Sequence, residues 1–320
     1  MFCTLLNTMQ KLKYALMLLF WLSVMTANAQ QEPSFSHYWA MEPSFNPAAA
    51  GKSSVVNVAG AYAMSMAGFE HNPKTMYVGA DLPFYFINNY HGIGVQLLND
   101  DIGLFKHQRL ALQYAYQFKL MGGVFSIGLQ GGMLSEKFKG SELDVEVSDD
   151  KAFSQSDVNG TALDLAAGVY YRHGNWYAGA SIQHATAPSV ELGDRSIIDI
   201  SRTYYLTGGY NIRLHNPFLT IHPSVLARTD GTGYRVDVTA RVKYQYEQRM
   251  FYAGVAYSPT NSVTALVGGN FHGISLGYSF EMYTSGISFK NGSHELFVGY
   301  QTELNLYKKG RNRHQSVRIL

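Results

Sequence analysis

The sequence predicts an all-β fold: a transmembrane antiparallel β-barrel of about fourteen strands with a short N-terminal periplasmic segment. Residues 234–245 give the strongest evidence, because apolar and polar side chains alternate there without a break. Residues 109–120 alternate in the same way. Successive side chains of a strand point to opposite faces, so each segment has one apolar and one polar wall. Both a lipid-facing barrel strand and a half-buried strand of a soluble sheet carry this pattern.

Composition favours the barrel. The chain has 23 Tyr and 31 Gly, and only 15% of its residues are charged. An outer-membrane barrel exposes apolar groups to lipid between two aromatic girdles, whereas a secreted β-sandwich would carry more charge. After the N-terminal thirty residues, no segment approaches the roughly 18 unbroken apolar residues of a membrane helix. The formal net charge of +2 argues against a nucleic-acid-binding protein.

Residues 1–29 have the layout of a signal peptide. Lys11 and Lys13 precede a short apolar run at 15–25, and Ala27 and Ala29 supply the small residues of a cleavage site. We therefore predict cleavage after Ala29 and export to the outer membrane, with Met1 or Met9 as the start. The single cysteine of the chain lies within this signal, which excludes disulfides, a thiol nucleophile and cysteine zinc sites from the mature protein.

The barrel is predicted to span residues 54–304. Period-two segments bounded by Gly, Pro, Asn or Asp indicate its strands. These segments lie near 54–64, 74–83, 91–99, 105–120, 123–134, 161–172, 175–185, 202–212, 217–228, 233–245, 250–258, 261–269, 272–283 and 293–304.

The predicted connections differ in length between the two ends of the barrel. On one side the turns are tight, at 121–122, 173–174, 270–271 and, slightly longer, 213–216; the other side has the two longest loops, 135–160 and 186–201. Short periplasmic turns and long outer loops are typical of outer-membrane barrels. A β-sandwich has no reason to keep this alternation, so the connections favour the barrel independently of composition.

Two terminal segments flank the predicted barrel. Residues 30–53 are rich in proline and aromatic residues, and their prolines forbid a regular helix or central strand. This segment is either a disordered leader or an ordered segment tucked into or under the barrel. Residues 305–320 form a basic periplasmic tail.

No motif predicts catalysis, a cofactor or a metal. Gly273-Ile274-Ser275-Leu276-Gly277 matches the nucleophile elbow of hydrolases, but it continues as an alternating strand without the helix which that motif requires. The histidines are scattered, and none forms a His-Glu-x-x-His pattern. We therefore predict that the protein is not an enzyme. A barrel lipase stays as an alternative that would depend on Ser275.

Both ends of the mature chain carry distinctive motifs. The start contains Pro33, Phe35-Ser36, Tyr38 and the run Asn46-Pro47-Ala48-x-Ala50-Gly51. The far end contains Leu276-Gly277-Tyr278-Ser279-Phe280, Thr284-Ser285-Gly286, Gly292-Ser293-His294-Glu295-Leu296 and Tyr300. These motifs resemble those of the PorP/SprF family of Bacteroidetes, and the likeness extends from about residue 31 to 301.

The resemblance implies an outer-membrane component of type IX secretion and gliding motility that helps export or anchor surface proteins. It implies as partners outer-membrane lipid, a secreted surface adhesin with the type IX C-terminal signal, and periplasmic secretion ring lipoproteins. We expect docking, with loops 135–160 and 186–201 facing the adhesin. The residues predicted to face periplasmic partners are Phe35, Tyr38, Trp39, Asn46, Pro47, Gly51, Lys308, Lys309, Arg311 and Arg313.

The alternative function is a porin for small or hydrophobic solutes. Its pore would have a cationic bias that favours anions. The same side chains could instead fill and hydrogen-bond a blocked lumen, which is the interpretation that we prefer. The predicted inward-facing side chains are Arg109, Gln113, Lys119, Arg235, Asp237, Arg241 and Lys243.

Overall fold

The computed structural model describes residues 32–142, 156–193, 196–247, 249–259, 261–284 and 291–303. Strands dominate these residues, and none of the described helices is long and apolar enough to cross a membrane. The strands are β1 (Val56–Met64), β2 (Lys74–Phe86), β3 (Asn89–Ile102), β4 (Phe105–Leu120), β5 (Gly123–Phe138), β6 (Val158–His173), β7 (Trp176–Gln183), β8 (Ser189–Leu192), β9 (Ser196–Asp199), β10 (Thr203–Tyr210), β11 (Ile212–Arg213), β12 (Leu219–Thr229), β13 (Tyr234–Tyr246), β14 (Arg249–Ser258), β15 (Ser262–Phe271), β16 (Ile274–Tyr283) and β17 (Ser293–Thr302).

Fourteen of these strands form a closed antiparallel barrel, as predicted. Consecutive strands β1 to β7 pair as neighbours, β7 pairs with β10, β10 with β12, and β12 to β17 continue the sheet. The first and last strands then close it, since β1 pairs with β17 from Val56 opposite Thr302 to Met64 opposite His294. The short strand β11 only extends the edge of β12. Closure pairs the backbone groups of every barrel strand on both sides, which a membrane-spanning sheet requires.

The alternation of side chains follows the predicted faces. On β4, Leu112 is 67% exposed on the outer wall, whereas the adjacent Gln113 is 5% exposed in the lumen. On β13, Val238 faces outward and Asp237 faces inward in the same manner. Large apolar side chains therefore cover the outside of the barrel and polar ones line its inside, which is the arrangement of a barrel in lipid.

Aromatic side chains mark both edges of the outer apolar belt. One girdle lies near the end of the barrel where β1 finishes and β13 begins; it contains Tyr62, Tyr204, Tyr234 and Tyr257. The other lies at the opposite end, and it contains Phe86, Tyr90, Trp176, Tyr210, Phe218, Tyr244, Tyr246, Phe251 and Phe271. Amphipathic rings favour the boundary between lipid and water, so the belt between the girdles is the membrane-facing surface.

The two ends of the barrel differ in the length of their connections, and we call them the short-turn end and the long-loop end. The short-turn end carries two-residue turns such as 87–88 and 121–122, and β1 begins there. The long-loop end carries the connections 139–157 and 184–202. Outer-membrane barrels place short turns in the periplasm and long loops outside the cell.

Two details differ from the prediction. The turn expected at 270–271 lies at His272 and Gly273, because both residues adopt the positive φ angles, 52° and 87°, that a tight hairpin requires. Strand β15 accordingly runs through Phe271. The loop 186–201 is not irregular throughout, since β8 and β9 pair within it as a small hairpin.

The base of the acidic loop between β5 and β6 is held by polar contacts. The Lys137 ammonium lies 2.8 Å from the Asp157 carboxylate, and the Ser141 hydroxyl donates to that carboxylate at 2.7 Å. Hydrogen bonds from Lys137 and Ser141 lower the pKa of Asp157 to about 2. The two ends of the loop are thereby joined above β5 and β6.

Candidate functional site: the N-terminal segment inside the barrel

The N-terminal segment lies inside the barrel. We call the described residues 32–53 the lumenal segment. At one end Glu32 contacts His184 and Arg228 near the long-loop end, and at the other end the carbonyl of Gly51 accepts a hydrogen bond from Gln117 at 2.9 Å near the short-turn end. Between them the chain forms three short 3-10 turns, Tyr38–Ala40, Glu42–Ser44 and Pro47–Ala49.

Of the alternatives left open by the sequence, the structure has the ordered segment, and it lies in the barrel instead of under it. Only residues near Gly51 reach the short-turn end, and the rest extends through the lumen towards the long-loop end. Its polar backbone groups find lumenal side chains as partners there, which lets its prolines and aromatic residues be buried without regular secondary structure.

A row of small residues on the barrel wall makes room for the segment. The row crosses five neighbouring strands, because its members are opposite one another in the strand register. A Cβ atom added at Gly128 would lie 2.1 Å from the backbone nitrogen of Ala48, and one at Gly168 would lie 2.2 Å from Oδ1 of Asn46. The segment therefore contacts the wall backbone directly. The row consists of Gly92, Ala115, Gly128, Gly168 and Ser181.

Glutamine side chains next to this row hold the backbone of the segment. Gln130 accepts hydrogen bonds from Gln96 at 2.7 Å and Gln113 at 2.8 Å, and donates to Gln183 at 3.2 Å. Two of these glutamines also bind the segment: Gln113 donates to the carbonyl of Pro43 at 2.6 Å, and Gln183 donates to that of Phe45 at 2.8 Å. Each amide thus satisfies a buried carbonyl which would otherwise lack a donor.

A buried carboxylate on β17 anchors the start of the segment. Glu295 accepts hydrogen bonds from the backbone nitrogens of Ser36 and His37, at 2.5 and 3.0 Å, and its Oε1 lies 2.6 Å from Nδ1 of His37. The His37 ring is fully buried and stacks on Phe297, with ring centroids 5.4 Å apart. Hydrogen bonds to a charged acceptor in a buried site are among the stronger ones in proteins.

Charged groups surround Glu32 near the long-loop end. Its carboxylate contacts the His184 ring and lies 3.5 Å from the Arg109 guanidinium. The other ring nitrogen of His184 lies 2.9 Å from the carboxylate of Asp164, and Arg228 donates to the carbonyl of Pro33 at 3.1 Å. These partners compensate the cost of placing the Glu32 charge inside the barrel.

Aromatic contacts complete the fixation of the segment. Phe45 stacks on Tyr205 with centroids 5.5 Å apart, and the Tyr38 hydroxyl lies 2.8 Å from that of Ser224. Trp39 is different, because it is only half-buried and the Arg241 guanidinium lies 3.8 Å from the centroid of its ring. Trp39 therefore borders open space within the lumen.

The predicted partner-binding residues fall into three groups. Phe35, Tyr38, Asn46 and Pro47 are buried in the lumen, and Gly51 is buried against Gly92 of β3. Trp39 borders a cavity near the short-turn end, and Phe35 and Tyr38 line a smaller one near Glu32. Lys308, Lys309, Arg311 and Arg313 lie outside the described residues, as does the predicted cleavage site after Ala29. Contact of all these residues with a partner stays a prediction.

Asn46 and Gly51 have identifiable local roles. Asn46 caps the turn at Pro47–Ala49, since its Oδ1 accepts a hydrogen bond from the backbone nitrogen of Ala48 at 3.0 Å. Gly51 has a φ angle of 63°, and a Cβ atom there would lie 2.6 Å from Cα of Gly92. Glycine at position 51 therefore allows both the left-handed backbone conformation and the close approach to β3.

The described ranges contain no group of His, Cys, Asp and Glu residues arranged to hold a metal ion. Ser275 lies near the start of strand β16, not on a turn into a helix, and its hydroxyl accepts a hydrogen bond from Asn270 at 2.8 Å. The context of a nucleophile elbow is therefore missing at this serine.

The sequence profile of the type IX secretion system membrane protein PorP/SprF matches residues 27–300 of the chain. The chain belongs to the PorP/SprF family. This confirms the resemblance that the two ends of the sequence indicated, and it identifies a membrane component of type IX secretion. The fold and the family together place the protein in the outer membrane. Membership makes other components of the secretion machinery its expected partners.

No curated protein matches the sequence. Among solved structures, the toluene transporter TbuX of Ralstonia pickettii is 10% identical with a TM-score of 0.49, covering 83% of this chain and 93% of its own. A FadL homologue of Pseudomonas aeruginosa is 11% identical with a TM-score of 0.46, covering 81% and 92%. The monoaromatic hydrocarbon channel CymD is 10% identical with a TM-score of 0.48, covering 83% and 93%. Similarity at this level carries no argument about function.

Proposed function

We propose that the protein helps export or anchor surface proteins by docking other components of the type IX machinery, and that no cargo passes through its lumen. The observation that carries this proposal is the lumenal segment. It extends from Glu32 near the long-loop end to Gly51 near the short-turn end, and it packs backbone to backbone against the wall at Gly128. A barrel filled by its own chain acts through its surfaces.

The inward-facing side chains support the same proposal. The porin alternative needs free charges along a pore, but Arg109 donates to the carbonyl of Ser44 at 3.3 Å and Gln113 to that of Pro43. Arg235 is paired with Asp237 at 2.9 Å and with Glu281 at 2.8 Å. These groups fill and hydrogen-bond the lumen, which is the role preferred from the sequence. Arg241 and Lys243 differ, since they border open space and have no carboxylate partner among the described residues.

Each end of the barrel would then serve a different partner. The long-loop end carries the connections 139–157 and 184–202 and would face the secreted adhesin. The short-turn end would face the periplasmic ring lipoproteins. There Trp39 and Lys52 of the lumenal segment border a cavity that opens at the end of the barrel, and the basic tail follows Glu303 at its edge.

Deletion of residues 32–50 tests the proposal. We expect the barrel to insert, since its strand pairing does not use these residues, and we expect secretion of the adhesin to be lost because part of the short-turn surface is gone. Insertion is measured by heat-modifiable mobility on gels, and secretion by surface labelling of the adhesin. A Gly/Ser replacement of equal length is the control for spacing.

Solute uptake by the same cells separates the two functions. Lost secretion with an inserted barrel supports docking. Unimpaired secretion would remove the docking role of the segment, and if solute uptake also rose, the porin alternative would be favoured.

A further inference from the structure

A cavity of about 770 Å³ lies between the lumenal segment and one side of the barrel wall. We call it the short-turn vestibule. The segment contributes Trp39, Pro43 and Lys52, and β12 to β17 contribute the opposite side, including Arg241, Tyr252 and Ser275. Residues 46–51 of the segment pack against the other side of the barrel, where the row of small residues lies, so this side stays open near the short-turn end. Cavities of this volume enclose ligands of small-molecule or short-peptide size.

The deep part of the vestibule is basic. Arg241 and Lys243 alternate on the lumenal face of β13, and His222 on β12 lies opposite Arg241 in the strand register. Among the described residues, neither Arg241 nor Lys243 has a carboxylate within 4.0 Å. The Nε atom of Arg241 and the Nε2 atom of His222 are buried without a hydrogen-bond partner.

The remaining charged groups of the lining are engaged or lie at the rim. Lys52 pairs with Glu42, and the Asp81 carboxylate accepts hydrogen bonds from Gly51 at 2.8 Å and Asn57 at 3.1 Å. Glu247 and Glu303 are exposed at the mouth. Arg249 is exposed in the lining as well, so the two cations of β13 are the half-buried charges of the vestibule that have no carboxylate partner among the described residues. Trp39 supports one of them, because the Arg241 guanidinium lies over its ring.

We propose that the short-turn vestibule binds an acidic, extended polypeptide segment of a periplasmic component of the machinery, with its carboxylates at Arg241 and Lys243. This inference extends the proposed docking function, and it rests on that function for the statement that the segment belongs to a component of the machinery. Arginine binds carboxylates through paired donors, and the aromatic side chains of the lining contact the apolar parts of such a segment.

Two observations favour a polypeptide over a lipid headgroup or a free anion. The neighbouring strands β12 to β17 are hydrogen-bonded to one another, so the vestibule has no opening into the bilayer and is reached from the periplasm. The volume of about 770 Å³ is also far larger than a free anion, and Trp39, Tyr252 and Phe297 line it beside the cations. A polypeptide can use both the aromatic and the basic part of this lining, whereas a small anion would use only the basic part.

Fluorescence anisotropy tests the inference on the full mature chain in detergent micelles. The probe is a fluorescein-labelled ten-residue peptide of alternating Glu and Ser, and the matching Lys and Ser peptide is the control. We expect binding of the Glu peptide only. The double variant Arg241→Gln/Lys243→Gln should weaken it about tenfold, because two charge-assisted contacts are lost.

The control for lost charge is Lys74→Gln/Lys106→Gln, which removes two cations from the long-loop end and should change the affinity less than about twofold. Heat-modifiable mobility on gels verifies that each variant is folded. Equal affinity of the Arg241/Lys243 double variant and the wild type would overturn the inference, as would absence of binding by the wild type.

Competition distinguishes the possible sources of the anion. Full displacement of the Glu peptide by millimolar inorganic phosphate would identify a small-anion site, and full displacement by vesicles of phosphatidylglycerol would identify a headgroup site; either overturns the polypeptide. The binding assay does not use secretion as its readout. If it fails while deletion of residues 32–50 still abolishes secretion, the docking function stands and this inference falls.

Discussion

Gly128 of β5 and Ala48 of the lumenal segment are in direct backbone contact: a Cβ atom at position 128 would lie 2.1 Å from the nitrogen of Ala48. The neighbouring wall position in the register, Gly168, contacts the side chain of Asn46 instead, since a Cβ atom there would lie 2.2 Å from its Oδ1. No side chain of the wall separates wall and segment at these two positions. The segment thus packs against this wall so closely that even a single added Cβ atom would clash.

Gly128→Val should push the segment off the wall. The added side chain meets backbone atoms, which cannot move aside as a flexible side chain can, and overpacking of this kind costs about 1–3 kcal/mol. We expect higher conductance in planar bilayers and a lower unfolding temperature in detergent. The control is Gly131→Val on the outer face of the same strand, where the nearest atom to an added Cβ is 3.8 Å away. Unchanged conductance and stability of Gly128→Val would contradict the described packing.

Glu295→Gln should loosen the start of the segment. The carboxylate accepts from Ser36 and His37, and replacing a buried charged acceptor by a neutral amide weakens these bonds, with an expected loss of about 2 kcal/mol in the free energy of unfolding. Urea unfolding in lipid vesicles measures it. Glu70→Gln, at an exposed position, is the control and should change the value by less than about 0.5 kcal/mol. A similar effect of both substitutions would show that Glu295 does not anchor the segment.

Asn46→Cys/Gly168→Cys should lock the segment to the wall. A Cβ at 168 would lie 3.0 Å from Cγ of Asn46, so the two cysteines fall within disulfide range, and the predicted mature chain has no other cysteine. We expect the double variant to oxidise spontaneously, which is measured by loss of free-thiol labelling. Each single variant has no second cysteine and should keep its free thiol. Failure to cross-link would contradict the position of Asn46.

The same double variant separates docking from passage through the lumen. Docking needs no displacement of the segment, so secretion should be equal with and without a membrane-permeable reductant. Secretion that depends on the reductant would show that the segment must leave the lumen, against the function proposed above.

Val238→Arg should destabilise the barrel in lipid. Val238 lies on the outer face of β13 between Tyr234 and Tyr244 of the two aromatic girdles, and a charge at such a depth costs about 2–4 kcal/mol. Tyr246→Arg, beyond the girdle residue Tyr244, should cost about 0–1 kcal/mol. Urea unfolding in vesicles measures both. Equal costs at the two positions, or a variant that purifies folded without detergent, would refute a lipid-facing outer wall.

The strands could be predicted because their evidence is local. Alternation on β4 and β13 depends only on neighbouring residues, and an even strand number with short and long connections on opposite sides favoured a closed barrel. The turn at His272 and Gly273 was missed by two residues, since Asn270 is also a common turn residue and strand length alone does not choose between them. The β8–β9 hairpin escaped notice because its strands are only four residues long.

The position of the lumenal segment could not be predicted in the same way. Gly92, Gly128 and Gly168 are far apart in the chain and become one row only through the register of β3 to β6. The sequence alone does not specify which residues of these strands lie opposite one another. The available signal was compositional: inward-facing Gly and Gln on adjacent strands leave a lumen that its own walls cannot fill. Aromatic residues and prolines in the leader were the matching half of that signal.

The direction in which the segment lies constrains how the protein can be made. Glu32 lies near the long-loop end, and the chain leaves the lumen at the short-turn end before β1 begins, so the amino-terminal residues precede the first strand yet end up enclosed by all fourteen. Bulky rings of the leader could not move along the lumen of a finished barrel without displacing the side chains that line it. We therefore expect the sheet to close around its own leader during biogenesis.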